Sequence, residues 1–155
     1  MTTSKAFRIL DSVETPMRDG CVLRADIWLP DGEGPWPVLL QRTPYRKEDA
    51  FGTQYISAMD FRAALRRGYA IVIQDTRGRY GAEGEFKPFV DEIDDGTDTI
   101  DWLRRQDFCD GQVVMFGASY VGATQVLAAA GHAEGLVAIS PHLPTGRHGA
   151  TWTYR

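Results

Sequence analysis

The stretch Val113-Val114-Met115-Phe116-Gly117-Ala118-Ser119-Tyr120-Val121-Gly122-Ala123-Thr124-Gln125 constrains this chain more than any other. A short apolar run ends in Gly117, a serine follows two residues later, and a small-residue segment of helical character begins directly behind it. A strand that turns sharply into a helix holds such a serine at the bend, its hydroxyl projecting from the C-terminal edge of a sheet. Gly117 and Gly122 suit that turn, because a side chain at either would collide with neighbouring backbone. Ser119 is therefore a candidate nucleophile; the plain alternative is a serine that merely caps a helix. The helix N-terminus presents unpaired N–H groups, and that of Tyr120 stands where a developing oxyanion would sit once Ser119 is accepted. The generic elbow is G-x-S-x-G. Here Val121 occupies the second glycine position and Gly122 comes one residue later.

The surrounding chain sets the layers. Phe7 to Glu14 reads as a strand, Pro16 to Gly20 as a turn, and Cys21 to Leu29 as a returning strand, which together predict an antiparallel hairpin at a sheet edge. Trp36 to Gln41 is too short for a helix and reads as a buried strand. Between Gln54 and Arg67 the spacing of Ile56, Met59, Ala63 and Leu65 or Arg66 predicts a helix, with Gly68 as its C-cap. Tyr69 to Gln74 is a continuous apolar strand, as in a parallel sheet covered on both faces. A glycine-rich charged loop, Thr76 to Phe89, precedes an acidic helix from Asp91 to Arg105, whose Ile93, Ile100 and Leu103 would face the sheet and whose Gly96 weakens it. The strand before Ser119, a helix continuing through Gly131, and a last strand from Leu136 to Ser140 complete an α/β layered pattern.

Composition excludes several classes. With 155 residues, 43% hydrophobic and 25% charged, the chain is one domain's worth of globular sequence. A net charge of -4 gives no reason to expect nucleic acid or an anionic membrane as a partner. No apolar run approaches the roughly 18 residues that span a bilayer, and the start runs into a polar, strand-like segment instead of an apolar signal core. Cys21 and Cys109 lie far apart with no partner at metal-ligand spacing. They read as ordinary thiols of a reducing compartment, with a disulfide as the alternative, and a cytoplasmic location is expected.

Three further groups of residues bear on chemistry. Arg42-Thr43-Pro44-Tyr45-Arg46-Lys47 leaves the third strand at the same sheet edge as Ser119 if those strands are parallel. A second oxyanion donor comes from this loop in hydrolases of this layout. No glycine-rich run is present to expose an amide there, so either Tyr45 supplies a phenolic O–H or it simply caps the core beneath the loop. Asp75-Thr76-Arg77-Gly78 follows the fourth strand; Asp75 precedes the nucleophile and so is expected to be structural, pairing with Arg77 to fix the loop. The glycines of 78–84 make no G-x-G-x-x-G, which argues against a nucleotide-binding domain. Among the histidines, His132 is expected at the surface, His142 could border the mouth of the site, and His148 lies in a Gly/Arg-rich stretch; Glu134 is the only acid after Ser119. A complete triad within the chain is not expected.

Four blocks, in order, carry a resemblance: Arg42-Thr43-Pro44-Tyr45, Asp75-Thr76-Arg77-Gly78, Gly81-Ala82-Glu83-Gly84-Glu85-Phe86 and Gly117 to Gln125. The chain resembles the bacterial cocaine esterase and Xaa-Pro dipeptidyl-peptidase family, with α-amino-acid ester hydrolases and cephalosporin acylases among its relatives. G-x-S-Y-x-G is that family's own form of the elbow, which accounts for Val121. The resemblance implies an α/β-hydrolase fold, here the N-terminal portion of the catalytic domain across residues 1–155 and stopping after the strand that follows the nucleophile helix. A helical cap, the rest of the catalytic domain and a C-terminal jelly roll would lie beyond it. It implies a serine hydrolase of esters or amides without a cofactor or metal, in which Ser119 forms an acyl-enzyme and the Tyr45 O–H and Tyr120 backbone N–H bind the oxyanion. The family's catalytic aspartate and histidine have no matching position in these residues. Esters rank ahead of Xaa-Pro peptides, and an inert fragment or binding scaffold is the rival reading for the isolated chain. An incomplete sheet also predicts dependence on a missing remainder, a neighbouring copy or a complementing chain.

Overall fold

The short apolar runs all become strands, and their polar-punctuated neighbours become the helices that cover them. The computed structural model describes residues 7–49 and 59–144. Strands are β1 (Arg8–Pro16), β2 (Val22–Leu29), β3 (Trp36–Thr43), β4 (Ala70–Asp75), β5 (Cys109–Ala118) and β6 (Leu136–His142). Helices are α1 (Phe61–Arg66), α2 (Glu92–Arg104) and α3 (Tyr120–Ala130), with a 3-10 turn at Lys47–Asp49. The six strands form one sheet in the order β1-β2-β4-β3-β5-β6. The β1/β2 hairpin is antiparallel and joins antiparallel to β4, whereas β4, β3, β5 and β6 run parallel.

Alternation along each strand divides the core between two faces. Ala70 and Val72 point with Val38, Leu40, Val113 and Met115 toward Ile100, Leu103 and Ala128 of α2 and α3. Ile71 and Ile73 point the opposite way, with Leu39 and Phe116, toward Phe61, Ala64 and Leu65 of α1. This is the two-faced burial that the apolar run at 69–74 predicts. Both cysteines are free thiols, Cys109 buried and Cys21 half-buried. No helix among the described residues is long and apolar enough to cross a membrane.

Two helices differ from their predicted form. Residues 54–58 of the expected 54–67 helix lie outside the described residues; the described helix starts from its N-cap Asp60, whose carboxylate accepts the Ala63 N–H at 3.0 Å. That cap sets the face, so Phe61, Ala64 and Leu65 are buried and Ala63 is not. Gly68, at φ 84°, ends the helix as expected, its N–H donating to the Leu65 carbonyl at 3.0 Å. In α2, Ile100 and Leu103 face the core but Ile93 is exposed. The buried stripe begins one residue earlier, at Glu92, Asp95, Gly96 and Thr99, because its polar members find partners inside. Gly96 is not a weak point: a Cβ there would lie 2.7 Å from Ala128 Cβ, so it lets α2 and α3 approach closely.

Candidate functional site

The bend between β5 and α3 is built as the glycines foretell. Gly117 sits at φ 127°, and a Cβ on Gly122 would lie 2.8 Å from the His142 carbonyl oxygen. Ser119 occupies the bend at φ 59° and ψ −126°, a region that L-residues seldom adopt. It stands at the N-cap position, yet its side chain makes no capping hydrogen bond. Its N–H instead donates to the His142 carbonyl at 2.9 Å, tying the bend to the end of β6. The first intrahelical bond runs from the Ala123 N–H to the Ser119 carbonyl at 3.0 Å, which leaves the amides of residues 120–122 among the helix's unpaired donors. Gln125 clamps the same bend: its amide nitrogen donates to the Gly117 and Val121 carbonyls at 3.0 Å each, and its oxygen accepts the Ser140 N–H at 3.0 Å.

Tyr45 emerges from the C-terminal end of β3, beside that of β5. Its N–H donates to Thr43 Oγ1 at 3.0 Å, and the Pro44 carbonyl before it accepts from Arg79 Nε at 3.1 Å. The loop is thus pinned on both sides while the Tyr45 side chain stays 41% exposed. Tyr45 and Tyr120 line a common cavity of about 480 Å³ with Pro44, Arg79, Phe86, Pro88 and Phe89. Ser119 is half-buried at the neighbouring position and stands outside that wall. The Arg79 guanidinium lies 5.1 Å from the ring centres of both Tyr80 and Phe86, a cationic tip in an otherwise aromatic setting.

Asp75 and Arg77 both fix the loop, but not through each other. Asp75 is fully buried and accepts the Lys47 N–H at 2.8 Å and the Gly81 N–H at 3.2 Å, joining the Tyr45 loop to the 76–86 loop. Burial pushes its carboxyl up to about 6, against the pull of those two amides. Arg77 reaches Asp95 at 2.6 Å and Asp19 at 2.8 Å instead, and these bonds hold its charge well above the usual range. Partner placement explains the outcome: the Asp75 carboxylate is taken up by two backbone amides, while carboxylates from α2 and from the turn between β1 and β2 stand within reach of Arg77. Lys47 is buried and meets Asp26 at 3.0 Å and Glu48 at 2.7 Å.

His132 is exposed at the end of α3, as expected. His142 contributes its backbone at the elbow and leaves its side chain exposed, Glu134 pairs with Arg104 at 3.1 Å, and His148 lies outside the described residues. The sequence reading missed the buried polar core under Tyr120. Arg42 is entirely buried and bonds to Gln74 at 2.8 Å and Glu92 at 2.6 Å, and Glu92 accepts the Tyr120 hydroxyl at 2.9 Å. The available signal was an arginine closing an apolar strand, with acids three residues apart on the sheet-facing stripe of a helix.

A mixed sheet with helices on both faces, and a positive-φ serine between a parallel strand and a helix, defines an α/β-hydrolase-type domain. The family model for X-Pro dipeptidyl-peptidase (S15 family) matches residues 19–154, and the chain belongs to this family. It is 48% identical over 139 residues to the cocaine esterase of Rhodococcus sp. (strain MB1 Bresler), covering 88% of this chain and 24% of that protein. An α-amino acid ester hydrolase structure superposes with a TM-score of 0.80 at 32% identity, over 96% of this chain and 27% of that one. A CocE/NonD family hydrolase from Staphylococcus aureus shares the fold with a TM-score of 0.77 at 23% identity, over 84% and 26%. The chain therefore spans about a quarter of the length of these relatives. Membership places it among serine-hydrolase-type esterases and peptidases.

Proposed function

We propose that this chain supplies the nucleophile and oxyanion-binding half of a serine hydrolase that cleaves carboxylic esters through an acyl-enzyme. The observation that carries the reading is Ser119 itself, held at φ 59° in a bend that its own hydroxyl does nothing to stabilise. A capping serine would have extended backbone and a side-chain bond to the helix. In the reaction, Ser119 Oγ bonds to the substrate carbonyl carbon as its proton passes to a base, and the carbonyl electrons move onto oxygen. The Tyr45 hydroxyl and the Tyr120 N–H receive that oxyanion. Collapse expels the alcohol, which takes up a proton, and water then releases the acid and regenerates Ser119. The base and its aspartate come from chain beyond these 155 residues, so the isolated segment is inert or at most a scaffold. No cofactor enters this scheme, and the substrate is a small ester or amide.

Ester cleavage stands first because the 48% identity is to a cocaine esterase; dipeptide release from Xaa-Pro peptides is the second reading, favoured by the family model's description. The whole protein decides between them when assayed on p-nitrophenyl esters and on Gly-Pro-p-nitroanilide. Faster turnover of the anilide would reverse the order. Mass spectrometry after fluorophosphonate treatment should show one adduct on Ser119; an unmodified Ser119 in an ester-cleaving protein would remove it as the nucleophile.

A further inference from the structure

The hydroxyl of Tyr120 is engaged by groups for which the proposed reaction has no direct use. It donates to Glu92 Oε1 at 2.9 Å and accepts the Phe89 N–H at 3.1 Å, while its ring stacks on Phe89 at 4.5 Å and tilts against Phe86 at 5.9 Å. Burial and the nearby Glu92 charge raise the phenol above its ordinary range, so it stays a donor. Glu92 is held in turn by Arg42 Nη1, at 2.6 Å through its carboxylate and 3.4 Å through its backbone carbonyl. Arg42 is anchored by Gln74 at 2.8 Å, and its carbonyl accepts from Thr124 Oγ1 of α3 at 3.4 Å.

This chain of bonds adds a side-chain link between two strand ends that the β3/β5 pairing already sets side by side. Arg42 lies three residues before Tyr45 on β3, and Tyr120 directly follows Ser119 on α3. The two proposed oxyanion donors thus come from different strands, and their spacing must hold to within about 0.5 Å for both to reach one oxygen. Apolar packing resists voids but allows sliding, whereas a bonded arginine, carboxylate and phenol have one geometry. A buried ion pair contributes little net stability over apolar residues of the same size, so stability alone is a poor reason for one here.

We infer that Arg42, Glu92 and the Tyr120 side chain form a positioning relay that locks the amide of Tyr120 in register with the loop carrying Tyr45. The inference rests on the serine-hydrolase reading above, with Tyr45 and the Tyr120 amide as its oxyanion donors. It differs from the notion that the residue after the nucleophile serves through its backbone alone.

The test uses the whole protein with p-nitrophenyl acetate as substrate and a fluorophosphonate as probe. Tyr120→Phe keeps the ring and its stacking but cuts both hydrogen bonds. The expected result is a fall in kcat on the order of 10-fold or more with KM unchanged within about twofold, and a parallel fall in the rate of phosphonylation. Glu92→Gln keeps an acceptor for the phenol but loses the charge pair; it should fall the same way, and the double variant should lose no more than the worse single one. Either single variant carries the comparison if the other does not fold. A Tyr120→Phe kcat within about twofold of wild type, or a raised KM at unchanged kcat, overturns the relay and leaves the hydrolase reading standing. Wild-type turnover that survives Ser119→Ala overturns both.

Discussion

At Ser119 the backbone is held at φ 59° and ψ −126° with no bond from its own side chain to offset the strain. Residues kept in sparsely populated regions cost about 1–3 kcal/mol, which the surrounding bonds from His142 and Gln125 must hold in place. Ser119→Gly should therefore raise the melting temperature while removing the fluorophosphonate adduct, since glycine adopts this conformation without penalty. Unchanged or lower stability would mean that the bend is not strained. Asp75 gives a pH signature. Its native carboxyl titrates at about 6, above the ordinary 3.8. The native state therefore binds a proton more tightly than the unfolded one, so the Asp75 contribution is full below about pH 4 and is lost as pH rises through 6. Unfolding free energies of wild type and Asp75→Asn, measured by denaturant titration from pH 4 to 8, should diverge in favour of the variant as pH rises, by on the order of 2–3 kcal/mol across the range. A constant difference would show that Asp75 does not titrate there.

Among the elements, the contact of α2 with α3 sets how far the elbow helix sits from the sheet and from Glu92. Gly96 carries that approach, with an added Cβ 2.7 Å from Ala128 Cβ. Alanine there would gain about 1 kcal/mol in helix propensity but lose about 1–3 kcal/mol to overpacking against a side chain that cannot turn aside. Gly96→Ala should therefore lower the melting temperature despite its better propensity, and Gly96→Leu should lower it further. A stabilised Gly96→Ala would place the two helices farther apart than described. Gly122 is tighter in kind, since its Cβ would meet the His142 carbonyl, a backbone group that also accepts from Ser119. Gly122→Ala is expected to lose ester turnover out of proportion to stability, read by comparing kcat with the thermal midpoint.

Over the whole molecule, the two edges of the sheet differ. β1 is a bulged hairpin strand folded back on β2, whereas β6 is a parallel strand with no described neighbour on its outer side. Val137 and Ile139, two residues apart and so on one face, are 55% and 37% exposed. Unpaired backbone beside exposed β-branched side chains is a template for further pairing. The isolated 155-residue segment should therefore associate in sedimentation velocity experiments, and Val137→Lys with Ile139→Lys should shift it toward monomer. A wild-type segment that sediments as a monomer and unfolds cooperatively would show that the edge needs no cover.

What the sequence determined by itself was whatever depends on local periodicity and local sterics: the strand runs, the hairpin, the two-faced sheet and the bend at Ser119 with its two glycines. These are legible because apolar alternation and glycine placement act within a few residues. Which charges meet is set by packing. Arg77 passes over Asp75 for Asp95 and Asp19, Arg42 turns inward to Glu92, and Ile93 gives up the core to Glu92 and Asp95. Those choices depend on strand order, since β3 lies between β4 and β5 and so brings Arg42 beside Gln74 and beneath α2. A buried charge goes where its partner waits, and nothing in the spacing of residues along one chain states how far apart two elements will lie once packed.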